Sequence, residues 1–294
     1  MQSKHKYDQA EGLRRLLVRP SLRVITVLGA SRGLGASSVV VNLAAALASA
    51  GKKTLVLDEN PSPGNVANML ALKPRYDLLN AVRDDMSWRD VVLGAQSGMQ
   101  ILPVAKAMRA LSKLNHAERE ILQENLMAAS FGMDVVLVDA TADGHSVCSN
   151  LSGEEPLLLI LNATAEGIKE SYALLKKMAV HNGRRAFDLV VNKARSEEEA
   201  HMVFDNMAKV AQQHLKVKLK YLGNIPYDEN VSRAALLHRP VVDMIPHTPA
   251  ASAFNALARN LMQLPTAEKE GTLNQMILRL LQQGPLPRVE CTVR

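Results

Sequence analysis

Gly29-Ala30-Ser31-Arg32-Gly33-Leu34-Gly35-Ala36-Ser37-Ser38 is the stretch on which the fold turns. An apolar run, Arg23-Val24-Ile25-Thr26-Val27-Leu28, leads into it, and a helix-like run from Val39 to Ala50 leads out. Strand, glycine turn and helix follow in the order of a phosphate-binding loop, G-x-x-x-x-G-K-[S/T]. That pattern calls for glycine at 30, lysine at 36 and a hydroxyl at 37; the chain has Ala30, Ala36 and Ser37. Gly33 and Gly35 let backbone N–H groups approach phosphate oxygens at the positive end of the following helix. Ser37 offers a hydroxyl to Mg²⁺. The backbone cradle is present and its cation is missing. Alone, the stretch also reads as a glycine-rich turn that binds nothing.

The surrounding chain supplies the context. Short apolar runs at 24–28, 54–57, 99–104, 134–139, 156–161, 187–191 and 219–225 predict strands, and 38–50, 77–83, 117–130, 166–180 and 196–214 predict helices. Continuous apolar strands alternating with helices predict an α/β fold, a mostly parallel sheet covered on both faces. Ligands of such sheets sit at the carboxyl ends of the strands. Leu55-Val56-Leu57-Asp58-Glu59-Asn60-Pro61 and Val135-Val136-Leu137-Val138-Asp139 both end in carboxylates there, the usual place for residues that orient magnesium and its waters.

The 294 residues suit one large domain with two arms: 1–21 before the first strand, 22–264 as the domain, and a tail at 265–294 punctuated by Pro265, Gly271, Gly284, Pro285 and Pro287. The formal charge of +6 is compatible with nucleic acid, acidic lipid or an acidic protein and selects none; the basic residues are not visibly clustered along the chain. Cys148 and Cys291 are far apart and form no C-x-x-C pair, so neither a disulfide framework nor a thiolate zinc site is expected. No apolar run reaches the roughly 20 residues that span a bilayer, and the polar start lacks a signal-peptide core. A cytoplasmic protein is the expectation.

Taken together these segments resemble the MinD/ParA-type P-loop ATPases, whose loop reads K-G-G-x-G-K-[T/S]-[T/S]. Aligned on Gly35, the family's first lysine falls at Ser31, its first glycine at Arg32 and its second lysine at Ala36. The D-x-D-P-Q-G-N segment resembles Asp58-Glu59-Asn60-Pro61-Ser62-Pro63-Gly64-Asn65 with one extra residue, and its catalytic aspartate falls at Asn60. Asp139-Ala140-Thr141-Ala142-Asp143-Gly144 is similar to D-T-P-A-G, Asn192 matches the adenine-side asparagine, and Gly223-Asn224-Ile225-Pro226-Tyr227-Asp228 is similar to G-x-I-P-x-D.

The resemblance implies ATP with Mg²⁺ as cofactor. Nucleotide contacts would come from Gly33, Leu34, Gly35, Ser37, Ser38, Asn192 and Pro226, and metal contacts from Ser37, Asp58 and Asp139. Each missing lysine removes charge-assisted hydrogen bonds of roughly 1.5–3 kcal/mol, about tenfold to a hundredfold in affinity. The family's first lysine also reaches the partner's nucleotide in a homodimer, which Ser31 does not do. With Ser31, Ala36 and Asn60 standing where the family has two lysines and a catalytic aspartate, the expectation is a weak or inactive ATPase with reduced nucleotide affinity.

Upstream, Asp8-Gln9-Ala10-Glu11-Gly12-Leu13-Arg14-Arg15-Leu16-Leu17 reads by itself as a capped amphipathic helix, Asp8 and Glu11 forming a capping-box-like pair. It also resembles the D-Q-A-x-x-L-R motif of the FlhG (FleN) family of flagellar-number regulators, which docks on the SRP-type GTPase FlhF. By that resemblance Gln9 assists GTP hydrolysis, while Asp8, Leu13 and Arg14 complete the partner-binding segment. In the tail, Leu273, Met276, Ile277, Leu280 and Leu281 share a helical face, as in the membrane-targeting helices of MinD and FlhG. Arg279 is the sole Lys or Arg between Thr272 and Gln283, fewer cations than a membrane-surface helix usually carries. Packing against the domain or a partner is an equal reading. Two other functions remain open: a ParA-like partition protein with ATP-dependent DNA binding, disfavoured by the lost lysines, and an ATP-independent scaffold.

Overall fold

The structure, a computed structural model, describes residues 22–31, 33–84, 86–142 and 156–264. The N-terminal segment with Asp8, Gln9, Leu13 and Arg14 lies outside the described residues. So do Arg32, Asp143, Gly144, both cysteines and the 265–294 tail.

Eight strands form one sheet: β1 (Arg23–Gly29), β2 (Thr54–Asp58), β3 (Leu93–Gly94), β4 (Gln100–Pro103), β5 (Val135–Ala140), β6 (Leu157–Asn162), β7 (Ala186–Ala194) and β8 (Lys218–Pro226). Their order is β3-β4-β2-β5-β1-β6-β7-β8. All pairings are parallel except that of β3 with β4. The expected α/β class holds, and every expected strand forms. The two-residue antiparallel β3 was not among the expected strands, being too short to carry a pattern of its own.

The central strands are apolar along most of their length because both faces are covered, and the polar residues at or beside the carboxyl ends of β2, β5 and β6 are Asp58, Asp139 and Asn162. In β5, Val136 and Val138 enter one core while Val135 and Leu137 enter the other. One core lies under α1 (Ala36–Ser49), α9 (Glu229–Leu236), α10 (Val241–Met244) and α11 (Pro249–Gln263), with Leu43, Leu47, Phe254 and Leu257 among its members. The short α2 (Val66–Met69) joins it through Val66. The opposite core lies under α3 (Leu78–Arg83), α4 (Trp88–Val91), α5 (Ala105–Ala110), α6 (His116–Ser130), α7 (Ala165–His181) and α8 (Glu197–Leu215). Each fully buried leucine or phenylalanine stabilises the fold by about 1.5–3 kcal/mol.

Helix starts follow local chemistry. Asn115 and Glu118 form a capping box on α6, Thr164 caps α7, Ser196 caps α8, and Thr248 caps α11 just before Pro249. Because the sheet is parallel through its centre, the ends of β1, β2, β5 and β6 line one edge. The loop after β1 opens there.

Candidate nucleotide site

Gly33 and Gly35 have φ of +88° and +90°, the left-handed region that glycine tolerates. Gly35 is the N-cap of α1, where no side chain caps the helix and no acidic residue occupies the first turn. The positive end of the helix therefore faces the loop. A cleft of about 580 Å³ opens beside it, lined by Gly33, Gly35, Ser37 and Ser38, with Asn60, Ser62 and Thr141 across from them. Ser31 and Ala36 also line it, so the positions that have lost lysine face the space where a phosphate would lie.

The cleft's floor is a connected polar group. The Ser37 hydroxyl donates to Asp139 Oδ2 (2.7 Å), and Asn60 Nδ2 donates to Ser37 Oγ (3.1 Å). Asp58 accepts from the Asn60 N–H at Oδ1 (3.1 Å) and from the Ala67 N–H at Oδ2 (3.2 Å), so it pins the connection from β2 to α2. Asn60 Oδ1 in turn accepts from the Ser62 N–H (3.0 Å).

Asp58 and Asp139 are 2% and 1% exposed. Burial pushes the Asp139 carboxyl up to about 8, with the nearby Asp58 charge adding to the effect; hydrogen bonds from Ser37 and Asn60 offset part of it. Burial likewise raises Asp58 to about 6, against the hydrogen bonds from Ala67 and Asn60. Two buried carboxyls repelling one another beside a hydroxyl make an oxygen donor set suited to a hard cation. Mg²⁺ is commonly held by one or two carboxylates together with water and substrate phosphate. The residues fit Mg²⁺ with Ser37 on the cleft wall and Asp139 behind it, while Asn60, also on the wall, supplies an amide where a carboxylate was expected.

Asn192 and Leu34 act on the loop from behind. Asn192 Nδ2 donates to the Leu34 carbonyl (2.9 Å), and a Cβ on Gly35 would lie 2.8 Å from that nitrogen. Gly35 is thus required by close approach as well as by its φ. Neither Asn192 nor Leu34 lines the cleft, and Pro226 lies at the end of β8 opposite Ala194. The structure brings Gly33, Gly35, Ser37, Ser38, Asp58, Asn60 and Asp139 together; Leu34 and Asn192 set the loop's shape.

One residue escaped the sequence reading. Ser31 Oγ donates to Glu170 Oε2 on α7 (2.6 Å). Where the P-loop pattern brings a cation, this loop holds a carboxylate. Ser31 and Glu170 are 139 positions apart in the chain, and no local motif marks the pair.

A sequence profile described as the CobQ/CobB/MinD/ParA nucleotide binding domain matches residues 25–241. The chain belongs to that family. Within the MinD/ParA-type P-loop proteins it is FleN-like: the antiactivator FleN of Pseudomonas aeruginosa is 33% identical over 263 residues, which cover 89% of this chain and 94% of FleN. The flagellum site-determining protein YlxH of Helicobacter pylori is 22% identical over 207 residues, 69% of each chain. Among solved structures, MinD of Aquifex aeolicus superposes with a TM-score of 0.61 at 22% identity, covering 84% of this chain and 99% of that one. MinD of Pyrococcus horikoshii, complexed with Mg-ADP, gives 0.61 at 23% identity, covering 83% and 97%. At those identities the two MinD structures speak to the fold alone. Among the described residues, no helix is long and apolar enough to cross a membrane.

Proposed function

We propose that this chain is a FleN-like regulator of flagellar number, placement and assembly, with weak or lost ATP hydrolysis. The observation that carries the reading is the near full-length similarity to FleN combined with a P-loop holding no lysine at 31 or 36. YlxH adds a second flagellar relative.

The chemistry of the cleft supports the hydrolysis half. Glycine N–H groups and the α1 N-terminus still favour an anion, so nucleotide binding with Mg²⁺ at Ser37 and Asp139 is retained at reduced affinity. Bound Mg²⁺ would neutralise phosphate charge. Ser37 and Asp139 would orient it, and Asn60 would hold a water by hydrogen bonds without accepting its proton as a carboxylate does. Glu170 adds a negative charge at the loop.

The partner-directed half rests on the N-terminal segment, with Gln9 assisting an FlhF-like GTPase and Asp8, Leu13 and Arg14 docking it. Cytoplasmic location with peripheral attachment to the inner membrane through the tail belongs to the same reading. DNA is not the proposed partner, and a homodimer would form without the cross-dimer lysine.

Two measurements test it. Adding the full chain to the cognate FlhF-like GTPase should accelerate GTP hydrolysis, and Gln9→Ala should abolish the effect; no acceleration by the wild type overturns the role of Gln9. Titration with a fluorescent ATP analogue should show weak binding that Ser31→Lys/Ala36→Lys strengthens. Tight binding and turnover by the wild type overturn the hydrolysis reading.

A further inference from the structure

The edge of the sheet opposite the cleft carries a concentration of positive charge that linear spacing conceals. Residues 171–187 contain Lys176, Lys177, Arg184 and Arg185 and no Asp or Glu; residues 206–227 contain Lys209, Lys216, Lys218 and Lys220 and again none. The fold puts these two stretches side by side. Ala186 pairs with Lys218, and Asp188 with Lys220. The Lys218 N–H donates to the Arg185 carbonyl (2.8 Å), and Arg185 Nη1 donates to the Leu215 carbonyl at the end of α8 (3.1 Å).

The last two turns of α7 bring Lys176 and Lys177 towards the same edge, since the Arg184 N–H donates to the Met178 carbonyl (3.3 Å). Lys176, Lys177, Arg185, Lys216, Lys218 and Lys220 are all exposed. Asp188, half-buried between Lys220 and Arg184, offsets one charge. Helix C-termini favour cations nearby, and both α7 and α8 end here.

A second feature meets this edge. Asn260 Nδ2 of α11 donates to the Leu222 carbonyl, two residues beyond Lys220 (3.1 Å). The helix ends three residues later at Gln263, and its Leu261 carbonyl accepts from Arg23 at the start of β1, so the last described residues lie at the same amino edge of the sheet. The tail has an apolar stripe in Leu273, Met276, Ile277, Leu280 and Leu281 but, between Thr272 and Gln283, only Arg279 as a cation. The edge has the cations, and Val180, 66% exposed on the last turns of α7, as its large apolar side chain. Interfacial membrane binding combines apolar burial with attraction to anionic headgroups. Each element lacks what the other has.

We propose that the amino edge of β7 and β8, with the ends of α7 and α8, is an electrostatic docking surface for an anionic lipid bilayer, acting together with the apolar stripe of the tail. The inference rests on the reading of peripheral membrane attachment and adds the surface that supplies its charge. Nine-residue strands span about 30 Å at roughly 3.3 Å per residue. That exceeds the Debye length of about 8 Å at physiological salt, so the charge of a nucleotide in the cleft is largely screened from this edge.

The test is flotation of the full chain with vesicles of phosphatidylcholine, with and without a third phosphatidylglycerol, at 0.1 M salt (about a 10 Å Debye length). The wild type should float with the anionic vesicles, and Mg-ATP should leave this unchanged. Lys216→Gln/Lys218→Gln/Lys220→Gln should lower partitioning about a hundredfold, each lysine contributing about 1 kcal/mol near an anionic surface. Lys106→Gln/Lys113→Gln/Lys169→Gln removes the same charge from exposed sites elsewhere and should float like the wild type. Equal loss in the two triple variants overturns the surface. Equal flotation with neutral and anionic vesicles, abolished by Ile277→Asp, keeps membrane attachment but overturns the charged edge. No flotation overturns both, and salt-sensitive binding to duplex DNA in its place identifies nucleic acid as the edge's partner.

Discussion

Ser31 and Glu170 show how one substitution changes the sign of a site. A lysine at 31 would bring a cation to the loop; a serine there donates to a carboxylate instead. One charge acting across about 6 Å in water-like screening is worth roughly 0.7 kcal/mol per phosphate charge. Glu170→Gln should therefore tighten binding of a fluorescent ATP analogue about threefold to thirtyfold. Glu166→Gln, on the same helix, should leave it nearly unchanged. Asp58 and Asp139 make a second residue-scale prediction. Their carboxyls are raised in the folded protein to about 6 and about 8, against an unfolded value of about 3.9. The folded state thus binds more protons between these limits, and the contribution of both groups to stability is lost as pH rises from about 4 to about 8. Urea unfolding from pH 5.5 to 8.5, without nucleotide or divalent cation, should show stability declining with pH. Asp139→Asn should flatten that slope.

Asp77 shows the same economy in the elements. It caps α3 by accepting from the Leu79 N–H, and it also accepts from the Lys106 and Ala107 N–H groups that open α5. Val104, the N-cap of α5, supplies no side-chain cap of its own. One buried carboxyl therefore serves two helix starts. Asp77→Ala should destabilise the protein by about 3 kcal/mol, one cap and two stranded N–H groups, while Asp77→Asn should cost less; chemical denaturation measures both. Elements such as β5 and β6 were legible in the sequence because burial on both faces demands unbroken apolar runs. The same reading located the loop, Asp58 and Asp139, since strand ends and glycines are local signals. β3 was not legible, as two residues carry no periodicity, and neither was α10, four residues long. The Glu170 contact and the two-helix role of Asp77 depend on tertiary neighbours, which no local window contains.

At the scale of the whole molecule, the sheet separates two cores and two edges. Phe254 sits in one core, 1% exposed, whereas Trp88 packs against the other. Phe254→Ala should cost about 3–5 kcal/mol. If the sheet couples the cores into one unit, the fluorescence of Trp88 should report the same shift in midpoint as far-UV circular dichroism. The edges differ in charge. Strand ends carry Asp58 and Asp139, and the starts of β7 and β8 carry Arg184, Arg185, Lys216 and Lys218. A chain that looks evenly sprinkled with lysine becomes polarised once register is imposed, so the sequence impression of unclustered cations does not survive folding.

The ring of Ser37, Asp139 and Asn60 has a further consequence for anything that enters the cleft. Every polar group in that ring already has a partner inside the protein. A phosphate oxygen that takes the Ser37 hydrogen must first displace the Asp139 carboxyl, and a cation at Ser37 shares the hydroxyl oxygen with the Asn60 amide. Occupancy here is a swap of partners, and its net heat is the small difference between bonds broken and bonds made.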